Sequence, residues 1–203
     1  MILLVATTNS SKLREIRPLV TDLPIDLRTL ADVEPLPAPE ETADTFWQNA
    51  RLKAFGYAAA TGLTVVAEDS GIEIAGLEGA PGVHSARFLG VHVSYSVRFA
   101  AIYRRLAALP PAARQARFVT ALAVASGSRL LFETETWIDG EIAAVPAGAH
   151  GFGYDPIFFY APLGKTIGEM SLAEKSAVSH RARAFRDFAR WLRVEHLGHP
   201  QLS

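Results

Sequence analysis

Two pairs of acidic side chains in the first third of the chain have the composition of a Mg²⁺ site. Glu40 and Glu41 follow one another in a proline-rich loop, and Glu68 and Asp69 come directly after the apolar segment LTVVA. Hard cations such as Mg²⁺ take oxygen ligands, commonly one or two carboxylates together with phosphate oxygens. Solvated surface acids are the commoner explanation of the first pair. Asp69 fits that explanation less well, because residues 63–67 predict a buried strand that leads to it.

The segment TTNSSK, residues 7–12, has the composition of a phosphate-binding turn. It lies between the apolar run ILLVA and a helical pattern, so that Lys12 and the neighbouring hydroxyl and amide side chains would stand at a helix N-terminus. Such a terminus presents unpaired N–H groups and about half a positive charge, which favours anions. Capping of the helix by Asn9, Ser10 or Ser11 is the commoner explanation of this pattern. From this segment alone both interpretations stay open.

Two segments in the last third of the chain carry groups that could recognise a flat base. GFGYDP, residues 151–156, joins two glycines, two aromatic rings and an acid, so that the backbone can approach a ligand and Phe152 can stack on it. A turn with a buried aromatic ring would have the same composition. EKSAVSHRAR, residues 174–183, gathers Lys175, His180 and Arg181 at a predicted helix start. These three could hold a phosphate or a base edge.

The elements that would position these groups mix strands and helices. A strand at ILLVA precedes a helix that Pro18 should kink or shorten. A second helix is predicted over about residues 44–60, with Gly62 as its stop. Two strands, residues 63–67 and 72–76, are predicted to flank a charged turn, EDSG.

The second half of the chain continues the same mixture of elements. A helix is predicted over about residues 93–109, followed by a hairpin in which ARFVTALAVA and LLFETETWI flank SGSR. Ser171 and Glu174 match a capping box, and a closing helix follows. The alternation lacks the strict rhythm of a doubly wound fold. We therefore predict an α/β fold with a long mixed β-sheet flanked by helices.

Composition excludes several classes of protein. Hydrophobic residues make up 49% of the 203 residues and charged residues 20%, which is typical of a globular chain rather than a disordered one. A formal net charge of −1 argues against a protein that coats nucleic-acid polymers or anchors on membranes through basic residues. Cysteine is absent, and the opening residues lack the pattern of a signal peptide. We expect a cytoplasmic protein with neither a nucleic-acid polymer nor a membrane as partner.

Taken together, these segments resemble the inosine triphosphate pyrophosphatase family, also called XTP/dITP diphosphatase. The matching motifs are TTNSSK with Glu15, EETADTFWQNA, AEDSGI, GAPGVHSARF, GFGYDPIFF and EKSAVSHR. Their order and spacing cover nearly the whole chain. Two departures are visible: Glu68 stands where bacterial members often have Asp, and Ala43 with Asp44 replaces the more usual glycine-containing turn.

The resemblance implies hydrolysis of ITP, dITP and XTP to the monophosphate and pyrophosphate, which protects nucleotide pools from deaminated purines. It also implies a homodimer, a Mg²⁺ cofactor and a two-lobed α/β fold with an active-site cleft between the lobes. Residues 1–203 would then form a single two-lobed nucleoside triphosphate pyrophosphatase domain.

Roles for individual residues follow from the same resemblance. Asp69 would be the general base and Lys12 a second catalytic residue, and the metal ligands would be Glu41, Glu40 and Asp69. The residues expected to contact the substrate are Thr7, Thr8, Asn9, Ser10, Ser11, Lys12, Ser70, Phe152, Gly153, Tyr154, Asp155, Lys175, His180 and Arg181. Donors on His180 and Arg181 would face the 6-carbonyl of hypoxanthine or xanthine and would disfavour the amino group of adenine.

Two other functions stay open from the residues alone. A pyrophosphatase for pyrimidine or modified nucleotides would keep the metal chemistry and change the contacts to the base. A non-enzymatic module that binds nucleotides or RNA would use Phe152 and the arginines. It would bind its ligand without Mg²⁺-dependent turnover.

Overall fold

Seven strands form one mixed sheet within residues 1–196, the part of the chain that the computed structural model describes. The strands are β1 (Ile2–Val5), β2 (Asp26–Thr29), β3 (Thr64–Ile74), β4 (Gln115–Ser126), β5 (Arg129–Ile142), β6 (Phe158–Tyr160) and β7 (Lys165–Thr166). Their order in the sheet is β2-β1-β3-β4-β5-β6-β7. Strand β1 is parallel to β2 and β3, whereas β6 is antiparallel to β5 and β7. The predicted α/β fold with a mixed sheet is confirmed.

The helices begin and end at residues whose types explain the boundaries. They are α1 (Ser10–Val20), α2 (Phe46–Thr61), α3 (Tyr95–Leu106), α4 (Leu172–Val178) and α5 (His180–Trp191). Thr45 caps α2 by accepting a hydrogen bond from the Gln48 backbone N–H, and Gly62 ends it in the left-handed conformation with φ 68°. The predicted capping box of Ser171 and Glu174 is present and opens α4.

Two local predictions differ from the structure. Strand β3 continues through EDSG, so the predicted turn between two strands is wrong. The reason is that β3 is paired on both sides in the sheet and its acidic residues find cationic partners, which removes the cost of burying them. Helix α1 is also not cut short at Pro18, since it continues to Val20, while the kink expected there stays a prediction. The predicted hairpin around SGSR is confirmed by β4 and β5.

The chain divides into two compact units. The first consists of Met1–Asp69, Thr120–Thr136 and the described residues from Arg181 onward, and the second of Ser70–Val119 and Trp137–His180. The core of the first unit is built on the face of α5 that carries Phe185 and Phe188, together with side chains of β1, β3, β4 and α1. The core of the second unit includes Ile72, Ile102 and Phe158. Burial of one such side chain stabilises a fold by about 1.5–3 kcal/mol.

Within residues 1–196, none of the helices has the combination of length and apolar character that crossing a bilayer requires.

Candidate active site

Asp69, the predicted general base, lies in β3 and is held by two side chains of α2. Lys53 Nζ lies 2.9 Å from Asp69 Oδ1, and Asn49 Nδ2 lies 3.4 Å from Asp69 Oδ2. Asn49 and Lys53 are four residues apart and therefore share one face of the helix. All three are buried, with Asn49 at 0% exposure. Two polar residues of one helix thus fix the position of this carboxylate.

Lys53 was not among the residues predicted from the sequence, although its position in the helix carried a signal. The apolar stripe of α2 passes through Phe46, Ala50 and Tyr57, and position 53 falls on the same stripe. A lysine at such a position is buried, and a buried ammonium group needs a carboxylate partner. The stripe therefore indicated an acidic residue opposite Lys53.

Glu41 converges on the same ammonium group. Its Oε1 lies 3.3 Å from Lys53 Nζ, the same ammonium nitrogen that lies 2.9 Å from Asp69 Oδ1. Burial raises the pKa of Asp69, and the Lys53 ammonium only partly offsets this. Burial also acts on Glu41, but there the Lys53 ammonium, with a smaller contribution from the Asp69 carboxyl group, outweighs it and lowers the pKa. The two carboxyl groups therefore differ in proton affinity, and Asp69 is the stronger base.

Glu40, the other predicted metal ligand of this loop, does not join the cluster. Its side chain is exposed, whereas that of its neighbour Glu41 is partly buried. Adjacent residues of an extended chain face opposite sides, so only one of the two can turn toward α2. The structure brings Glu41 to Asp69 and leaves Glu40 in solvent.

A second chain of charges surrounds Glu68. The Arg181 guanidinium donates from Nε to the Glu68 carboxylate at 2.9 Å and from Nη1 to Glu15 Oε2 at 2.6 Å. Lys12 Nζ lies 3.1 Å from Glu68 Oε1. Glu68 and Arg181 are 3% and 2% exposed, so these pairs are shielded from water. Arg181 is therefore engaged by two carboxylates, and its expected contact with the substrate stays a prediction.

The pKa shifts in this chain follow from burial and the opposite charges. Burial alone would raise the pKa of Glu68, but Arg181 and Lys12 overcome it and lower the pKa to about 2. Burial lowers the pKa of Lys12, with Glu68 acting against it. Glu68 therefore stays ionised at neutral pH. Its negative charge is one reason that Lys12 can stay close to a second cation, Arg181.

The TTNSSK segment forms the N-terminus of α1, and the capping interpretation of Asn9 is confirmed. Asn9 Oδ1 accepts hydrogen bonds from the backbone N–H groups of Ser11 and Lys12, at 2.9 and 3.2 Å. Thr7 Oγ1 accepts one from the Asn9 N–H. Thr8, Asn9 and Ser10 are exposed, while Thr7, Ser11 and Lys12 are partly buried. The cap engages two N–H groups of the first turn, and Lys12 supplies the positive charge.

The predicted base-recognition residues of the second unit form a group around Asp155. Asp155 Oδ2 accepts a hydrogen bond from the Phe152 backbone N–H at 2.7 Å and forms an ion pair with Lys175. Lys175 Nζ also lies 4.9 Å from the centre of the Phe152 ring, within the range of a cation–π contact. Gly151 has φ 74°, and a Cβ there would lie 2.0 Å from the Asp155 carboxylate. Asp155 is 3% exposed, so a buried carboxylate fixes the positions of Phe152 and Lys175.

The remaining predicted residues of the second unit lie among aromatic rings. The His180 ring stacks on Phe118 with centroids 4.9 Å apart, and Phe118 stacks on Phe158 at 4.3 Å. Tyr154 is buried, and its hydroxyl donates a hydrogen bond to the Ser85 carbonyl at 2.9 Å. Gly153 has φ 65°. Ser70 lies in β3 and is partly buried.

The cluster around Asp69 has the donor chemistry that Mg²⁺ prefers. Two carboxylates, Glu41 and Asp69, converge within 3.3 Å of one ammonium nitrogen. Mg²⁺ commonly takes one or two carboxylates and fills its other positions with water and phosphate oxygens. Within residues 1–196, no group of three or more acidic, histidine or cysteine side chains is placed to hold a metal. The pair therefore supplies the type of donor, two carboxylates, that suits Mg²⁺.

Comparison with known proteins places this arrangement in a family. The sequence model of the Ham1 family matches residues 3–191 of the chain. The chain belongs to the Ham1 family. This confirms the family resemblance that the six motifs predicted.

Curated relatives in the Ham1 family carry the name dITP/XTP pyrophosphatase. The protein of that name from Syntrophobacter fumaroxidans is 43% identical over 189 residues, which cover 93% of this chain and 81% of the relative. The one from Geobacter sulfurreducens is 41% identical over 198 residues, covering 95% and 98%. A solved structure of a HAM1 protein from Coxiella burnetii superposes with a TM-score of 0.87 at 36% identity, covering 95% of this chain and 98% of that one.

Proposed function

We propose that this Ham1-family protein is a Mg²⁺-dependent nucleoside triphosphate pyrophosphohydrolase. It hydrolyses dITP, ITP and XTP to the monophosphate and pyrophosphate and so removes deaminated purines from cytoplasmic nucleotide pools. The enzyme class and the purine substrates are supported by the curated relatives, which are named for dITP and XTP. The observation that carries the chemistry is the buried Asp69 carboxylate, held by Lys53 and Asn49 next to Glu41.

Asp69 acts as the general base in this proposal. It accepts a proton from a water molecule whose oxygen attacks the α-phosphorus. The bond from that phosphorus to the bridging oxygen breaks, and the bond electrons leave with pyrophosphate. Burial raises the pKa of Asp69, which strengthens it as a proton acceptor. Lys53 keeps the carboxylate in place throughout.

Glu41 and Asp69 would hold the Mg²⁺ ion together with phosphate oxygens. When bound, Mg²⁺ neutralises phosphate charge and so stabilises the charge that develops during displacement. Glu40 is not part of this set, since its side chain faces solvent.

Lys12 binds the phosphates in this proposal. Its ammonium group is paired with Glu68, and Arg181 and Glu15 hold that glutamate in turn. Arg181 therefore acts on the substrate indirectly, by fixing Glu68 and through it Lys12, rather than by reading the base. This differs from the role that the family resemblance implied.

The base is recognised by residues of the second unit. Phe152 offers a ring for stacking, and Lys175 and His180 offer donors for the carbonyl groups of hypoxanthine and xanthine. Asp155 orients both Phe152 and Lys175 through its two contacts. Discrimination against adenine follows because its 6-amino group is a donor facing donors, and an unpaired buried polar group costs about 1–3 kcal/mol.

The test is release of pyrophosphate from dITP, ITP, XTP, ATP, GTP and dTTP, with Mg²⁺ and with EDTA. We expect kcat/KM for dITP, ITP and XTP to exceed that for ATP by at least about 10-fold, which is the effect of one unpaired buried group. A preference for ATP or dTTP would refute the substrate assignment, and full turnover in EDTA would refute the metal requirement. Glu41→Gln and Glu40→Gln form a matched pair, in which only the first should lose activity.

The homodimer that the family resemblance implies is part of the same proposal. Sedimentation velocity at micromolar concentration measures it directly. A mass near twice the monomer's 22.0 kDa is expected, and a monomer that is fully active would refute it.

A further inference from the structure

Residues 39–43 run along α2 as an extended segment, which we call the strap. Exposure alternates along it: Pro39, Glu41 and Ala43 are partly buried, whereas Glu40 and Thr42 are exposed. The strap has no regular secondary structure. The alternation is that of an extended chain with one side against a surface.

Three residues on one face of α2 contact the strap. Asn49 makes two hydrogen bonds to the backbone of Ala43, accepting from its N–H at 3.0 Å and donating to its carbonyl at 3.1 Å. Lys53 pairs with Glu41 at 3.3 Å. Gly56 lies against the ring of Pro39. Positions 49, 53 and 56 of α2 thus face positions 43, 41 and 39 of the strap. The strap is therefore held against the helix on both sides of Glu41.

Gly56 is unusual because it lies inside a helix, where glycine is less favourable than alanine by about 1 kcal/mol. A Cβ at this position would lie 2.6 Å from Pro39 Cγ and 3.1 Å from Pro39 Cβ. The proline ring is rigid and cannot rotate away as a flexible side chain would. Any larger residue at position 56 must therefore push Pro39, and the strap with it, away from the helix.

We propose that Gly56 is a positioning residue that keeps Glu41 next to Asp69 by letting the strap lie against α2. The inference rests on the proposed function, since it concerns the carboxylate pair of that site. Gly56 does not touch the pair itself. It acts through Pro39, two residues before Glu41, while Asn49 holds the other end of the strap.

The test is a mutant cycle of Gly56→Ala, Pro39→Ala and the double variant, with dITP as substrate. Gly56→Ala should lower kcat about 10- to 100-fold, the effect of a misplaced catalytic group. Tm should change little, because the gain in helix propensity opposes the loss of contacts between the strap and the helix. The double variant should regain most of the lost kcat, because Pro39→Ala removes the Cγ that a new Cβ would meet at 2.6 Å. Pro39→Ala alone should stay within about 3-fold of wild type.

Hydrogen exchange followed by mass spectrometry gives a readout that is independent of turnover. The Ala43 N–H is protected by Asn49, so peptides spanning residues 39–45 should exchange faster in Gly56→Ala and recover in the double variant. Ala59→Gly is the control, since it weakens the same helix at an exposed alanine beyond position 56, the last that meets the strap. It should lower Tm and leave both kcat and the exchange of the strap unchanged.

The outcomes separate this inference from the proposed function. Wild-type kcat and exchange in Gly56→Ala would overturn the positioning role while dITP hydrolysis stands. A double variant as impaired as Gly56→Ala would also overturn it, because the contact with Pro39 would then not be the cause. If the wild-type protein fails to hydrolyse dITP, the proposed function fails, and the exchange data still decide whether Gly56 holds the strap.

Discussion

The two regions that carry the predicted site residues are built in different ways. In the first unit, the side chains are charged and neutralise one another: Asp69 and Glu41 share Lys53, and Glu68 is enclosed by Lys12 and Arg181. In the second unit, aromatic rings stand beside one buried ion pair, Asp155 with Lys175: His180 stacks on Phe118, and Phe152 lies beneath the ammonium group of Lys175. The difference matches two tasks, since displacement at phosphorus needs placed charges and recognition of a base needs a flat apolar surface.

The difference also predicts how each region fails. Removing one member of a buried charge network leaves another charge without its partner, which costs several kcal/mol or abolishes chemistry. Removing a ring takes away contact area and leaves no buried charge behind. Substitutions of charged residues in the first region should therefore change kcat and the free energy of unfolding, and substitutions of rings in the second region should change KM.

The largest effect is expected from Asp69→Asn. The variant keeps the shape of the side chain but removes both the proton acceptor and one negative charge, so kcat for dITP should fall about 10³-fold. The fold should persist, because Lys53 retains Glu41 as a partner. Steady-state kinetics and thermal unfolding measure the two effects together. Activity within a few-fold of wild type would remove Asp69 from the chemical step.

The next effect concerns stability and its dependence on pH. The pKa of Glu68 is about 2 in the folded protein, against an ordinary value of 4.5. A carboxyl group with a lowered folded pKa contributes stability above its unfolded pKa, and this contribution is lost as pH falls toward the folded value. The shift corresponds to about 3 kcal/mol at neutral pH. Glu68→Gln should therefore lower the free energy of unfolding by about that amount at pH 7.

Denaturant unfolding of wild type and Glu68→Gln between pH 7 and pH 2.5 measures this contribution. The difference between the two proteins should be constant from pH 7 to about 5.5 and should shrink below about pH 4.5. Carboxyl groups outside this charge network titrate in both proteins and cancel in the difference. A difference that is small at pH 7, or that grows on acidification, would contradict the ion-pair network around Glu68.

The sequence predicted the positions of local signals well, because those signals act over a few residues. The cap at Asn9, the stop at Gly62 and the hairpin around SGSR all depend on neighbours in the chain, and all are present. The family and the mixed sheet were also predicted, because six motifs keep their order and spacing along the chain.

The partners of the charged groups could not be predicted in the same way. Arg181 meets Glu15 from 166 positions away, and no local pattern encodes such a pairing. The turn predicted at EDSG was wrong for a related reason. Two adjacent acidic residues suggest an exposed turn when the cationic residues that pair with them in the fold are not known. The choice between Glu40 and Glu41 depends on which of them faces α2, which two adjacent glutamates cannot show by themselves.

The smallest of the three effects is expected in the second region, from Phe152→Leu. Leucine keeps most of the apolar volume but removes the ring on which a base stacks, an interaction worth about 1–3 kcal/mol. KM for dITP should rise about 10-fold, with kcat changed less than about 3-fold. Phe152→Trp retains a ring and should restore KM, which separates stacking from a general disturbance of the loop. A fall in kcat with unchanged KM would place Phe152 with the charged region and remove the distinction between the two.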